Sequence, residues 1–178
     1  MKVSDLISEI QNEFSETLSL SASYLCGIYN TEAAALALRL PAAASLTATD
    51  EDFVISTSLA SFQIDRVFCG GRELLRVRRG VFDALGQTSL YAVEDGRIYT
   101  NLHGTFKISY RALPQKVNAE TASTVDLAQS PTGILYLRAA MMRTVYLSLG
   151  DIEAANACTA ECERLFPVLR AEVGGVRG

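Results

Sequence analysis

Apolar residues recur at helical spacing from the start of the chain: Val3, Leu6, Ile7, Ile10 and Phe14 form one stripe, while Glu9, Glu13 and Glu16 fall on other faces. This pattern predicts an amphipathic helix with a single buried face. Ser4 is placed to act as its N-cap. A second helical run starts near Leu20, passes through Tyr24, Leu25, Ile28, Leu36 and Leu40, and is stopped by Pro41. Its alanines from Ala33 to Ala37 permit close approach of a neighbouring helix. From Ala42 to Asp52 the residues are small or polar and show no period, which reads as a connecting loop.

The period changes to two at Phe53-Val54-Ile55, and then at Phe62, Ile64, Arg66 and Phe68 alternating with Gln63, Asp65, Val67 and Cys69. Gly70-Gly71 supplies two positions free to adopt positive φ, as a two-residue hairpin requires, and turns the chain into Arg72–Val77. A short helical turn around Val81–Leu85 precedes a second hairpin, Tyr91–Glu94 and Arg97–Thr100 about Asp95-Gly96. A last strand, Thr105–Tyr110, is reached through His103-Gly104, and Pro114 closes the sheet. The expected sheet is a meander of local antiparallel pairings.

A polar linker, Asn118 to Gln129, leads to Ser130-Pro131, which suit the N-cap and first position of a helix. That helix carries Leu135, Ala139, Met142, Tyr146 and Leu149 on one face and ends at Gly150. Asp151 caps the next, with Ala155, Cys158, Cys162, Leu165 and Leu169 spaced by three and four. Residues 131 to about 172 are thus expected to form a helix hairpin, with Pro167 kinking or interrupting its second arm. The turn Tyr146–Ala155 resembles that of a tetratricopeptide-type helix pair, but no second copy occurs, so an ordinary hairpin is the expectation. The fold class is α+β: a helix bundle with an inserted small antiparallel β-sheet, divided as residues 1–52, 53–114 and 115–178 in one folded unit.

Composition changes this picture in two places. The chain of 178 residues, 49% hydrophobic, is long enough for one domain with a real core. Its charge is uneven: residues 1–60 carry two basic and eight acidic side chains, residues 61–119 nine and five, and residues 120–178 five and seven. The sheet is therefore expected to be basic and the helices acidic. Such asymmetry can steer one copy onto another or a basic surface onto nucleic acid, although a solvated face is the commoner outcome. The densest basic group is Arg66, Arg72, Arg76, Arg78 and Arg79, with Arg76 and Arg78 placed on one side of a strand. Few aromatics lie between them, and no helix-turn-helix, RNA-binding or zinc-finger signature accompanies them.

Candidate chemistry is sparse. No Gly-x-Ser-x-Gly, phosphate loop or dinucleotide fingerprint occurs, and the sole histidine, His103, is not placed beside a nucleophile by sequence. No catalytic residue, metal site or cofactor is expected. Cys26, Cys69, Cys158 and Cys162 are not spaced as a disulfide framework and read as small buried hydrophobes. Cys158 and Cys162 lie one helical turn apart and could share a metal, but no histidine is near in sequence. Asp50 and Asp52 could bind a cation; exposed loop charges more often do nothing. No signal-peptide stretch or membrane span is apparent, so a soluble chain made in the cytoplasm is expected.

Two N-terminal helices, then Asp65-Arg66-Val67-Phe68, Gly71-Arg72-Glu73-Leu74, Tyr91-Ala92-Val93-Glu94-Asp95-Gly96-Arg97-Ile98 and Phe106-Lys107-Ile108-Ser109-Tyr110-Arg111 ending at Pro114, follow an order that resembles the head-to-tail adaptor (connector or neck) proteins of tailed bacteriophages. The hairpin with Tyr146-Leu147 and Gly150-Asp151 before an alanine-rich helix is similar too. The resemblance implies a structural virion protein of the neck, assembled in the host cytoplasm as a ring of twelve copies below the portal. Its partners would be other copies of itself, the portal protein and a tail or nozzle protein. Genomic DNA would pass through the channel without sequence-specific binding, and no membrane is involved.

A channel lined with arginines would grip passing phosphates, so the five arginines are assigned to subunit or partner contacts. The segment Leu169 to Gly178, with Leu169, Val173, Val176 and Arg177, reads as too flexible to pack alone and is the expected portal-binding tail. Two other classes compete. One is a monomeric peptide-binding module using the Tyr136-to-Ala155 face of the hairpin. The other is a small nucleic-acid-binding protein using the arginines, with affinity falling steeply with salt.

Overall fold

The computed structural model describes residues 1–16, 18–42, 44–127 and 129–175. In chain order the elements are α1 (Val3–Phe14), α2 (Ala22–Arg39), β1 (Ala44–Thr49), β2 (Val54–Ser56), β3 (Ile64–Cys69), β4 (Arg72–Val77), α3 (Arg79–Leu85), β5 (Leu90–Glu94), β6 (Arg97–Thr100), β7 (Thr105–Tyr110), α4 (Pro131–Leu149) and α5 (Ile152–Gly175). The fold is α+β. It divides into two compact units, a helical one from Met1–Leu40 and Leu113–Gly178, and a sheet unit from Pro41–Ala112. The insertion begins about a dozen residues before the expected position, because β1 lies in the stretch that reads as a loop.

In the helical unit, α1 buries Val3, Leu6, Ile7, Ile10 and Phe14, the stripe that its periodicity predicts. Its start differs from expectation. Ser4 sits inside the first turn, and the N–H groups of Val3 and Ser4 donate to the carbonyls of Val125 (3.0 Å) and Ala122 (3.1 Å). The polar linker thus satisfies donors that a side-chain cap would otherwise take. Ser21 caps α2 by accepting from Tyr24 N–H at 3.2 Å.

Helix α4 is the centre of this unit, burying Tyr136, Leu137, Ala139, Ala140, Met141, Met142 and Val145. Three helices pack around it, so its buried face is wider than one stripe, and Leu135 and Leu149 of the expected stripe are instead 52% and 47% exposed. Ser130 caps it with Pro131 at its start, and Gly150 ends it at φ 78°. Asp151 Oδ1 then accepts from Ala154 N–H at 3.0 Å and opens α5. Helix α5 continues through Pro167 without interruption, and buries Ala155, Cys162, Leu165 and Leu169.

The sheet unit has seven strands in the order β1-β7-β3-β4-β5-β6-β2. It is not a meander. The hairpins β3–β4 and β5–β6 form as their glycine turns predict, but β4 and β5 are parallel, with Leu75 opposite Leu90 and Val77 opposite Ala92. Parallel neighbours need a crossover, and α3 supplies it. Strand β7 returns between β1 and β3. All strands contribute to one buried cluster that includes Ile55, Ile64, Val67, Leu74, Tyr91, Ile98, Phe106 and Ile108, with Leu46 and Ala48 of β1 against it. On the outer face, Phe82 of α3 packs with Leu90 and Ala92, flanked by Val77 and Tyr99.

Three two-residue turns carry positive φ at both central positions: Gly70-Gly71 (57°, 80°), Asp95-Gly96 (47°, 73°) and Asp52-Phe53 (49°, 63°). The second is also sterically tight. A Cβ on Gly96 would lie 3.1 Å from the Thr57 carbonyl oxygen. Gly96→Ala is therefore expected to destabilise the sheet unit by about 1–2 kcal/mol. Gly70→Ala, where a Cβ meets open space, should cost less, and chemical denaturation of the two variants side by side checks the ranking.

Candidate functional site

The five arginines do not form one surface of common purpose. Arg66 pairs with Glu73 at 3.6 Å across β3 and β4. Arg76 donates to the carbonyls of Ser61 (3.0 Å) and Ile64 (3.2 Å), tying the approach to β3 onto β4. Arg79 pairs with Asp83 at 3.1 Å and lies over the Tyr99 ring at 3.6 Å. Its Nη1 is buried without a hydrogen-bond acceptor among the described residues, and the ring face offsets part of that cost. Arg72 and Arg78 are exposed and have no ion pair among the described residues. Only these two remain uncommitted. Arg76 and Arg78 do not share a strand face, since β4 ends at Val77 and Arg78 precedes α3.

The boundaries of the sheet unit also correct its charge. With Asp50, Glu51 and Asp52 inside it, Pro41–Ala112 holds eight basic and eight acidic side chains, whereas the helical unit holds eight and twelve. The sheet unit is neutral overall, with three of its acids, Asp50, Glu51 and Asp52, at the β1–β2 corner and five of its arginines between Arg66 and Arg79, where Asp65, Glu73 and Asp83 accompany them.

That corner holds a polar cluster that sequence reasoning missed. Asp50 is not an exposed loop charge: its side chain is 2% exposed. Its carboxylate accepts from Gly104 N–H at 2.8 Å, is hydrogen-bonded to His103 Nδ1 at 2.7 Å and accepts from Phe53 N–H at 3.2 Å. The Gly104 N–H, then His103 and Phe53, hold this carboxyl below the usual aspartate range against the opposing effect of burial. The Phe53 ring lies 3.8 Å from the His103 ring. Asp50 and the stacked histidine thus stabilise a turn in which Asp52 and Phe53 both take a left-handed backbone that costs non-glycine residues energy. An aspartate-bound imidazole can serve a nucleophile, but among the described residues His103 has a hydrogen bond with Asp50 alone. The arrangement is a lock for the corner. The only sequence signal for it is the pair Asp50 and His103, which 53 positions separate.

In the helical unit, the expected tail is packed as far as it is described. Leu169 is 1% exposed, Val173 lies against the same core, and Glu172 accepts from Ser130 Oγ at 2.6 Å and Thr132 Oγ1 at 2.5 Å. These bonds hold the Glu172 carboxyl below its ordinary range and fasten the end of α5 to the start of α4. Leu169 and Val173 are therefore core residues of a helix, while Val176 and Arg177 lie outside the described residues. The Tyr136-to-Ala155 face is not an open groove either, since Tyr136 and Ala155 are 4% and 2% exposed. Burial raises the Cys158 and Cys162 thiols above their ordinary values, as expected of inert packed cysteines. Among the described residues no group of three or more His, Cys, Asp or Glu is placed to hold a metal ion, and no helix is long and apolar enough to cross a membrane.

The chain matches no protein family model and no curated protein.

Exposed large apolar side chains are spread over both units, Phe62, Leu135 and Val168 among them, and two sets lie close together in sequence. On the sheet unit, Leu75 is 66% exposed on the face that α3 partly covers, and Val81 and Leu85, one helical turn apart on α3, are 45% and 53% exposed. Their charged neighbours in sequence are mixed: Arg72, Glu73, Arg76, Arg78, Arg79 and Asp83. On the helical unit, Leu147, Leu149 and Ile152 are 52%, 47% and 57% exposed at the tip of the α4–α5 hairpin, beside Asp151 and Glu153. Tyr24 OH donates to Ser148 Oγ at 3.2 Å and braces that tip from α2.

Proposed function

We propose that this chain is a non-enzymatic structural virion protein, a head-to-tail adaptor that forms a ring between portal and tail of a tailed phage and extends the DNA channel. The order of elements that carries the resemblance supports this reading: a helical frame interrupted once by a β unit. The single observation that carries it is that each unit bears its own exposed apolar side chains, Leu75, Val81 and Leu85 on the sheet unit and Leu147, Leu149 and Ile152 on the helical unit. Closed rings are built from heterologous contacts, which need two different complementary patches on each subunit. Arg66, Arg76 and Arg79 serve the fold of the sheet unit, leaving Arg72 and Arg78 as the contact arginines. The portal-binding role passes from Leu169 and Val173, which are packed, to surfaces other than the core of α5.

Mass spectrometry of purified particles from the natural source, scaled to the major capsid protein, tests the assignment. A low fixed copy number equal to that of the portal is the expected result. Absence from intact particles would overturn it.

A further inference from the structure

We propose that the free edge of β1 pairs with β1 of a second copy, antiparallel about a two-fold axis, joining the two sheet units into one continuous sheet. Strands β1 and β2 end the strand order, so each has one side without a neighbouring strand. On β2 that side is largely spent: Glu51 and Val54 exchange both main-chain hydrogen bonds, at 2.8 and 2.9 Å, which leaves Ser56 of this three-residue strand. On β1 the ladder fixes where each main-chain group points. Asp50 N–H donates to the Gly104 carbonyl at 3.4 Å, one step beyond Thr49 opposite Thr105. Antiparallel partners bond at every second position. Ala44, Leu46 and Ala48 therefore bond to β7, while Ser45, Thr47 and Thr49 turn their N–H and C=O groups away from it.

These outward groups have no hydrogen-bond partner among the described residues, and Ser45, Thr47 and Thr49 are exposed. Natural sheets protect such an edge with lysine, proline, a bulge or a covering segment. The six residues Ala44–Thr49 read Ala-Ser-Leu-Thr-Ala-Thr, without charge, proline or glycine, and their register with β7 is unbroken. Unpaired amides and carbonyls in an extended row are satisfied best by another strand.

The sequence of β1 selects its own copy as the occupant. Thr49 runs into the Glu51–Val54 corner, so Ser45 and Thr47 are the open positions, and one antiparallel register sets each of them opposite the other in the second copy. Ser45 then exchanges its main-chain bonds with Thr47 of the second copy, and Thr47 with Ser45. Their hydroxyl side chains meet on the exposed face as a cross-strand pair. On the other face Leu46, half-buried in one copy, falls opposite Leu46 of the second at the close spacing of a non-hydrogen-bonded pair. Charge does not oppose this pairing. Lys107, beside Thr47 on β7, is at least three strand spacings from its copy, about 14 Å, beyond the screening length at physiological salt. A two-fold contact joins two copies and goes no further; it is not the contact that closes a ring, and it does not rest on the adaptor reading.

Self-association of the full chain is measured by sedimentation velocity at rising concentration and physiological salt, with thermal unfolding confirming that each variant is folded. A contact this small associates weakly, so the dimer is expected at the upper concentrations. Thr47→Pro removes an N–H that points away from β7, where an edge strand accepts proline, and should leave the fold intact while weakening the dimer by about tenfold. Ser45→Lys combined with Thr47→Lys sets like charges opposite each other and should abolish pairing, as should Ser45→Glu combined with Thr47→Glu. An equimolar mixture of the lysine and glutamate chains should associate again, because each charge then meets its opposite. A wild-type chain that stays monomeric at the highest attainable concentration, a dimer indifferent to Thr47→Pro or to the charged pairs, or charged chains that stay apart on mixing would each overturn the pairing. The particle copy number does not depend on these variants, so failure of the pairing and failure of the adaptor reading are distinguishable.

Discussion

Leu169→Ala is expected to destabilise the helical unit by about 2–4 kcal/mol, the cost of a leucine-to-alanine change in a core that closes only partly over the gap. Leu169 is 1% exposed, and its Cδ1 would lie 3.5 Å from a Cβ on Gly133, so it fills the space where α5 crosses the first turn of α4. Val168→Ala is the control: it is the preceding residue, but 50% exposed, and should change stability by only a few tenths of a kcal/mol. Urea unfolding of the two variants separates a packed helix end from a free tail. Equal, small effects would mean that the segment contributes nothing to the fold.

The second large effect lies at the β1–β2 corner. Asp50→Asn replaces one acceptor oxygen with a donor where Gly104 N–H, Phe53 N–H and His103 Nδ1 converge. One N–H would then face an amide N–H, and the left-handed turn at Asp52-Phe53 would lose its support, so the thermal midpoint of the sheet unit should fall at neutral pH. The pH dependence follows from the lowered pKa of Asp50. A carboxyl whose folded pKa lies below its unfolded value stabilises the fold above the unfolded pKa, about 3.9 for aspartate. That contribution is lost as pH falls through the lower folded value. Asp126, Glu161 and Glu172 are depressed too, so the wild-type chain should lose stability in acid for several reasons. The diagnostic quantity is the difference: the gap in thermal midpoint between wild type and Asp50→Asn should narrow as pH drops below about 4. A gap that stays constant down to the acid limit would show that the Asp50 charge does not stabilise the corner.

The helices were legible where each packs by one side. The stripe of α1 and the three-and-four spacing of α5 match the buried residues because each packs by one face. In α4 the same reasoning selects Leu135 and Leu149, which are exposed, because a central helix buries most of its circumference and periodicity carries little information there. Hairpins marked by Gly70-Gly71 and Asp95-Gly96 were legible for a local reason, since glycine announces positive φ. The turn at Asp52-Phe53 has the same backbone and no glycine. Its conformation is imposed by Asp50 and by His103 from a distant loop, which no local pattern encodes, and so β1 was hidden with it. Long-range pairing hid the rest of the topology as well: nothing in Thr105–Tyr110 states that it inserts between β1 and β3. The arginines were legible as a cluster but not by role, because whether a guanidinium meets a carbonyl, a ring or water depends on neighbours that only the folded chain supplies.

The ladder between β1 and β7 runs from Ala44 opposite Tyr110 to Thr49 opposite Thr105, so the chain enters and leaves the sheet unit about one strand spacing apart, roughly 5 Å. To the helices on either side, a formed sheet unit is therefore no longer than a tight loop. Contacts such as the hydrogen bond from Arg39 to the Tyr136 hydroxyl, separated by 97 positions, close over a much shorter effective chain once that ladder exists, and each halving of loop length relieves about 0.6 kcal/mol of closure entropy. Folding order thus acquires a preference, sheet before bundle. The same geometry makes the insert exchangeable: any module whose ends meet at strand spacing could replace it and leave the helical frame the same closure to perform.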